Sequence, residues 1–396
     1  MNKSVFGAII ALSLFGTMGA YAASSEENTD ASLTAPSAKV EKDALIVIKS
    51  NADAEISSPG ERIGDEPAVR GSNPSFINDS EVVNLYFDAR IDYQRDWNGS
   101  NTVKDNTGFE GKYIDLHLDG TIIPGLTYSW RQRFNKINKD ANFFDSTDWL
   151  YINYDLKKWS FSAGKQVVMI GGFEYDRAPI DLYACSVYWN NVPCYDLGVS
   201  VGYKITPKDK LTIQATQSPF YTSENRDMYA YNLMWNGNHG WYQSIWSANM
   251  IEYADGRYIS YLALGNKFNF GPASLELDFM NRAASHQTYF FKDCSVMAEL
   301  SYKPTSRWNI FAKYTYDVNK SGRDADLCVA NGTELNMIGG GVEFFPLLKK
   351  KTSLRLHANC FYSWGHNANP SNVMQNKTTI LDFGITWYMN VLKVKR

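Results

Sequence analysis

Histidine and cysteine are the side chains best suited to acid–base, metal or redox chemistry, so their spacing is informative first. The five histidines (His117, His239, His286, His357, His366) form no His-x-x-x-His pair, and the five cysteines form no Cys-x-x-Cys pair. Neither a zinc site nor a dithiol is indicated. The stretch "GHNANPSN" at 365–372 has residue types found in hydrolases, but nothing beside it completes a nucleophile, a base and an orienting acid. Phosphate-loop, dinucleotide-binding and EF-hand patterns are also missing. No catalytic residue, metal or cofactor is expected.

Charge, in contrast, recurs at every second position. "KYIDLHLDG" sets Asp115, His117 and Asp119 against Ile114, Leu116 and Leu118. "LTYSWRQRF" sets Arg131 and Arg133 against Leu126, Tyr128 and Trp130. Arg90, Arg282 and Arg355 fall on the polar phase of their own segments. The chemistry such residues offer is electrostatic: they line a polar face. That face carries more carboxylates than basic groups, and mixed charges on facing walls would set a transverse field. Arg131 and Arg133 suit a basic ladder, and equally suit salt bridges to Asp115 and Asp119 on the adjacent strand.

Period-two alternation requires strands with one apolar and one polar side. In "VVNLYFDARIDYQRD" one face holds Val83, Leu85, Phe87, Ala89, Ile91 and Tyr93. The other holds Asn84, Tyr86, Asp88, Arg90, Asp92 and Gln94. Runs of this length suit tilted strands crossing a bilayer. From residue 82 onward about 16 such segments follow, an even number, as both ends on one side of a membrane demand. Short turns such as "TIIPG", "DLKKW", "TPKDK" and "KPTSR" alternate with longer loops around 96–108, 137–147, 171–194, 219–227, 283–294, 319–332 and 365–377. The fold class expected is all-β: a transmembrane antiparallel β-barrel. The aromatic load (25 Tyr, 21 Phe, 11 Trp) fits girdles at both interfaces of such a barrel. A soluble sandwich or solenoid would not keep the alternation of short and long connections.

The chain opens with Lys3, an apolar run from Val5 to Met18 and "AYA" at Ala20–Ala22. This reads as a signal peptide, 1–22, because the run is short of the roughly 20 residues a spanning helix needs. Residues 23–80 are small, polar and aperiodic, which suits a flexible periplasmic segment before the barrel at 81–396. No later run is apolar enough for a helical span. The near balance of 39 basic and 42 acidic residues argues against nucleic acid as a partner.

Export permits disulfides. Cys185 and Cys194 share one long loop, and Cys294 and Cys328 fall at the long-loop ends of neighbouring strands, so each pair could bridge or remain as thiols. Cys360 alternates with Leu354, Leu356 and Ala358, which places it toward lipid.

The segments "FSAGKQVVMIGGFEYDRA" (161–178), "YFDARIDYQRD", "GLTYSWRQRF" and the closing "ILDFGITWYMN" resemble the porin O and P family, the phosphate-selective porins of Bacteroidetes-type bacteria. The resemblance covers roughly residues 80–392. It implies a 16-stranded outer-membrane channel of a Gram-negative bacterium whose long loop after the fifth strand folds inward. The constriction would then be built from Glu174, Tyr175, Asp176, Arg177, Asp181 and Tyr183. Arg90, Asp115, Asp119, Arg131, Arg133, Arg282 and Arg355 would line the pore wall. The resemblance also implies a homotrimer. The wall's acidic balance departs from a phosphate trap, which needs surplus Arg and Lys. The expected function is therefore passive diffusion of small polar solutes or ions, with outer-membrane lipids as surroundings. An anion-selective channel and a plugged barrel serving as adhesin or scaffold are the alternatives.

Overall fold

The computed structural model describes residues 81–136, 143–349, 352–370 and 374–395. The signal peptide, the segment 23–80 and part of the loop at 137–147 lie outside the described residues.

Sixteen long strands form one sheet. They are β1 (Glu81–Asn98), β2 (Gly108–Ile123), β3 (Leu126–Arg133), β4 (Thr147–Leu156), β5 (Trp159–Val167), β6 (Tyr195–Lys204), β7 (Asp209–Gln217) and β8 (Tyr229–Asn238). There follow β9 (Tyr242–Ala254), β10 (Arg257–Phe270), β11 (Ala273–Ala284), β12 (Asp293–Thr305), β13 (Trp308–Asn319), β14 (Glu334–Lys349), β15 (Thr352–His366) and β16 (Thr378–Lys395). Each pairs antiparallel with its neighbour in sequence, and β1 pairs with β16 from Glu81↔Lys395 to Asn98↔Thr378. The sheet is thus closed, and no edge is left to satisfy in lipid. A two-residue ladder, Asn101–Thr102, folds back on the end of β1.

The alternation read from the sequence sorts the side chains by face. Ile152, Val199, Leu300 and Ile338 are each about half exposed on the outer wall, at 51%, 56%, 51% and 52%. Leaving one such side chain in water forgoes roughly 1.5–3 kcal/mol, so a wall of them belongs in hydrocarbon. Aromatic clusters mark the short-turn end of this wall, with Trp159 packed at a tilt against Tyr203 (4.6 Å) and Trp308 against Phe344 (4.6 Å). Tyr93 with Phe109 (5.0 Å) and Tyr362 with Trp364 (6.0 Å) lie nearer the long-loop end. Cys360 is exposed on the outer wall.

Two details differ from the sequence reading. The connection between β9 and β10 is a two-residue turn at the otherwise long-looped rim, made possible by Gly256 at φ +63°. The barrel also closes farther along the chain than the closing segment "ILDFGITWYMN": β16 runs on through the basic residues to Lys395, and Lys393 pairs with Glu81.

Candidate functional site

The inward face is where charge could act on a solute, and the segment between β5 and β6 fills much of it. Its descent begins on an amide ladder. Gln214 donates to Gln166 (3.2 Å), Asn232 to Gln214 (2.9 Å), Asn249 to Asn232 (2.7 Å), and Ser247 to Asn249 (2.6 Å). The loop backbone docks along it: Met169 N–H donates to Gln214 (2.8 Å) and Gly171 N–H to Ser247 (2.8 Å). Gly172 then turns at φ +112°, where any Cβ would lie 3.2 Å from Asp278, and a Cβ on Gly265 of β10 would meet the Gly172 Cα at 2.7 Å. The bend therefore needs glycine on both sides.

From there the loop spans the barrel. A short helix α1 (Phe173–Asp176) starts with the N–H groups of Phe173 and Glu174 donating to both oxygens of Asp278 (2.8 and 2.7 Å). Arg177 pairs with Glu299 (2.7 Å) and Glu276, on β12 and β11. Burial alone would lower the Arg177 pKa, but those two carboxylates raise it well above its ordinary value. Glu174 meets Lys313 of β13 (2.7 Å). Asp181 meets Arg355 of β15 (2.6 Å), and Arg90 of β1 donates to the Leu182 carbonyl. A second helix α2 (Val187–Asn191) is held by Asp317, which accepts from Val187 N–H (2.8 Å).

Tyr183 sits at the meeting point. Its hydroxyl donates to Glu343 (2.5 Å), Arg90 lies over its ring at 4.6 Å and Arg355 at 5.9 Å, and His357 packs against it at 4.5 Å. Burial keeps its phenol protonated well above the usual range. Burial also raises the Asp181 carboxyl, and the Arg355 guanidinium offsets only part of that. Tyr175 is buried deeper, its hydroxyl donating to the Val168 carbonyl (2.9 Å), and Asp176 is buried beside it.

The wall residues point inward as the alternation requires, but they are closed into pairs. Arg131 binds Asp115 (2.5 Å) and Asp148 (3.1 Å), and Arg133 binds Asp148 (2.8 Å). The expected partner Asp119 instead accepts from Ser129 (2.6 Å). A register shift between Arg131 and Gln132 on the β3–β4 ladder accompanies this, bringing Asp148 to the inner face. Arg90 binds Asp92 (2.6 Å), and Arg282 binds Asp293 (3.0 Å) and Asp326 (2.5 Å). Charges therefore neutralise their neighbours instead of facing one another across open water, as a transverse field would require.

Of the two outcomes left open for each cysteine pair, the structure has the thiols and no bridge. Cys194 ends the loop beside Val168, whereas Cys185 lies by Lys313 and Glu174, with α2 between them. Cys294 shares the outer phase of β12 with Val296 and Leu300, while Cys328 packs inside against the Tyr261 hydroxyl (3.8 Å). The barrel wall separates that pair. His117 and His357 do face inward, 3.0 Å from Asp88 and 2.8 Å from Asp382. Nε2 of His357, Asp92 and Asp382 converge closely enough to hold an ion. Arg90 already occupies Asp92 and lies 3.8 Å from Asp382, which makes the cluster an ion-pair network rather than a cation site.

Sequence reasoning missed the loop's anchors Gln214, Ser247 and Asp278, and the role of the 320–333 loop, whose Asp326 reaches Arg282. Their inward phase was readable; their partners were not.

The model of the family described as phosphate-selective porin O and P matches residues 83–389. The chain belongs to that family. Solved structures share this porin's fold at low identity. The outer-membrane channel DcaP of Acinetobacter baumannii superposes with a TM-score of 0.55 at 14% identity, over 80% of this chain and 99% of that one. An anion-selective porin from Comamonas acidovorans gives 0.53 at 11%, over 78% and 100%. OmpF of Salmonella typhi, in complex with daunomycin, gives 0.55 at 11%, over 79% and 99%. No curated protein sequence matches this porin. Family and fold make it a β-barrel channel of the Gram-negative outer membrane for passive diffusion, rather than an enzyme.

Proposed function

We propose that residues 171–194 form the constriction of this channel and that the pore is only weakly ion-selective. The observation that carries this is the pairing of the arginines in the lumen. Arg90, Arg131, Arg133, Arg177, Arg282 and Arg355 each have a carboxylate within 4 Å. A phosphate would have to displace those carboxylates, and truncating a buried pair costs about 3–5 kcal/mol. Small polar solutes that need no such exchange would pass along the remaining lumen. Glu174, Tyr175, Asp176, Arg177, Asp181 and Tyr183 would set its width. Outer-membrane lipids would surround the apolar wall, and a homotrimer is proposed on family membership. Replacing residues 173–191 with a short Gly-Ser linker tests the constriction: single-channel conductance in a planar bilayer should rise severalfold, and an unchanged value would refute it.

A second reading, a plugged barrel serving as scaffold or adhesin, is favoured by the packing above α2. Tyr188 and Trp189 are buried, and the Asn369 amide ties the Cys328 carbonyl (3.0 Å) over them. It predicts no conductance in the native chain.

A further inference from the structure

Resting on the channel reading, we infer that the lumen holds a cleft for uncharged, polyhydroxylated solutes, on the short-turn side of the loop against β4–β8. The ion pairs of Glu174, Arg177 and Asp181 run to the other side of the barrel, to β11–β13 and β15, and Arg90 of β1 donates to the Leu182 carbonyl there. Against β4–β8 it leaves an open-mouthed cleft of about 60 Å³. Hydroxyls and amides line it: Asn153, Ser160, Ser162, Ser200, Thr212 and Asn236. Lys210 and Asp176 are its only charged lining groups among the described residues, one of each sign. The rings of Tyr151 and Tyr175 supply apolar surface beside them.

This combination matches a polyol or sugar. Amides and hydroxyls can exchange hydrogen bonds with a solute's hydroxyls without a net charge to neutralise, and aromatic faces take the C–H faces between them. A phosphate or carboxylate finds a single ammonium here, with Asp176 close enough to line the same cleft. The neutral wall therefore favours solutes without charge over their charged analogues.

The test uses the full mature chain in liposomes, with sorbitol and gluconate as probes, since they share a carbon skeleton and differ in charge. Sorbitol should enter about fivefold faster than gluconate. In a Cys360→Ser background, a bulky neutral maleimide on Ser162→Cys should slow sorbitol severalfold. Lys210→Cys on the same cleft provides a second variant should the first fail to fold. Thr315→Cys, buried on β13 beneath the loop, should neither react nor change flux. Equal entry of sorbitol and gluconate, or undiminished sorbitol flux after labelling at 162 or 210, would overturn the cleft assignment. Potassium chloride conductance in the same preparations separates the two levels: conducting channels with unaltered flux refute the cleft alone, whereas silent bilayers refute the channel reading beneath it.

Discussion

Arg355 Nη1 lies 2.6 Å from Asp181 Oδ1, joining the barrel wall to the loop across the lumen. Arg355 also lies 3.4 Å from Glu343 and donates to the Ile180 carbonyl (2.8 Å). One guanidinium thus fixes where the loop's far end can sit, and its charge is cancelled where a solute would pass.

That contact makes the pore responsive to acid. Burial raises the Asp181 pKa above its ordinary value near 4. As pH falls through the raised value Asp181 becomes neutral, Arg355 loses a counter-charge, and the reversal potential should move toward anions. The ionised carboxyl is disfavoured by folding, so this single group does not itself weaken the barrel as pH falls. Asp181→Asn should show the acid-form reversal potential at neutral pH and lose this component of the response. A variant that titrates like the native chain would place the response elsewhere.

Asp278 holds two loop N–H groups at once. Hydrogen bonds to a charged group contribute about 1.5–3 kcal/mol each, so Asp278→Ala should free the start of the loop while leaving the barrel closed. The expected result is noisier single-channel current at a slightly lower unfolding temperature. A quiet channel would mean that the amide ladder suffices.

Asp148 is shared by Arg131 and Arg133 in a site excluded from water. Asp148→Ala would leave two guanidiniums with too few carboxylates, at a cost of about 3–5 kcal/mol. Heat-modifiable migration on gels should reveal the loss, and Asp119→Ala should cost less.

Thiol labelling reports the cysteine positions directly. Cys360 should react in the folded protein in detergent, whereas Cys185, Cys194, Cys294 and Cys328 are buried and should react only on unfolding. Resistance of any pair in the unfolded chain without reductant would indicate a disulfide.

Much of the fold was legible because a barrel strand must alternate. Asn84, Tyr86 and Arg90 could face nowhere but the lumen once Leu85 and Ile91 faced lipid. The long loop was legible by length. What alternation cannot carry is a change of register: the shift beside Arg131 brought in Asp148, and no local pattern announces it. Nor does period-two reading give contacts between distant strands and a loop. Asp278 and Asp317 stand on the polar phase of their strands, yet both serve as anchors for loop N–H groups, which the phase alone does not reveal. Spacing likewise left the cysteine pairing open: Cys294 and Cys328 are near in topology but lie on opposite sides of one wall.

The most direct test is the reversal potential of single channels of the mature protein in a planar bilayer under a potassium chloride gradient, followed by added phosphate. Neutralised lumen arginines predict a steady conductance, a reversal potential near zero and no phosphate block at micromolar concentration. A strongly anion-selective reversal with phosphate block would contradict the account, since it requires guanidiniums released from the carboxylates that hold them here.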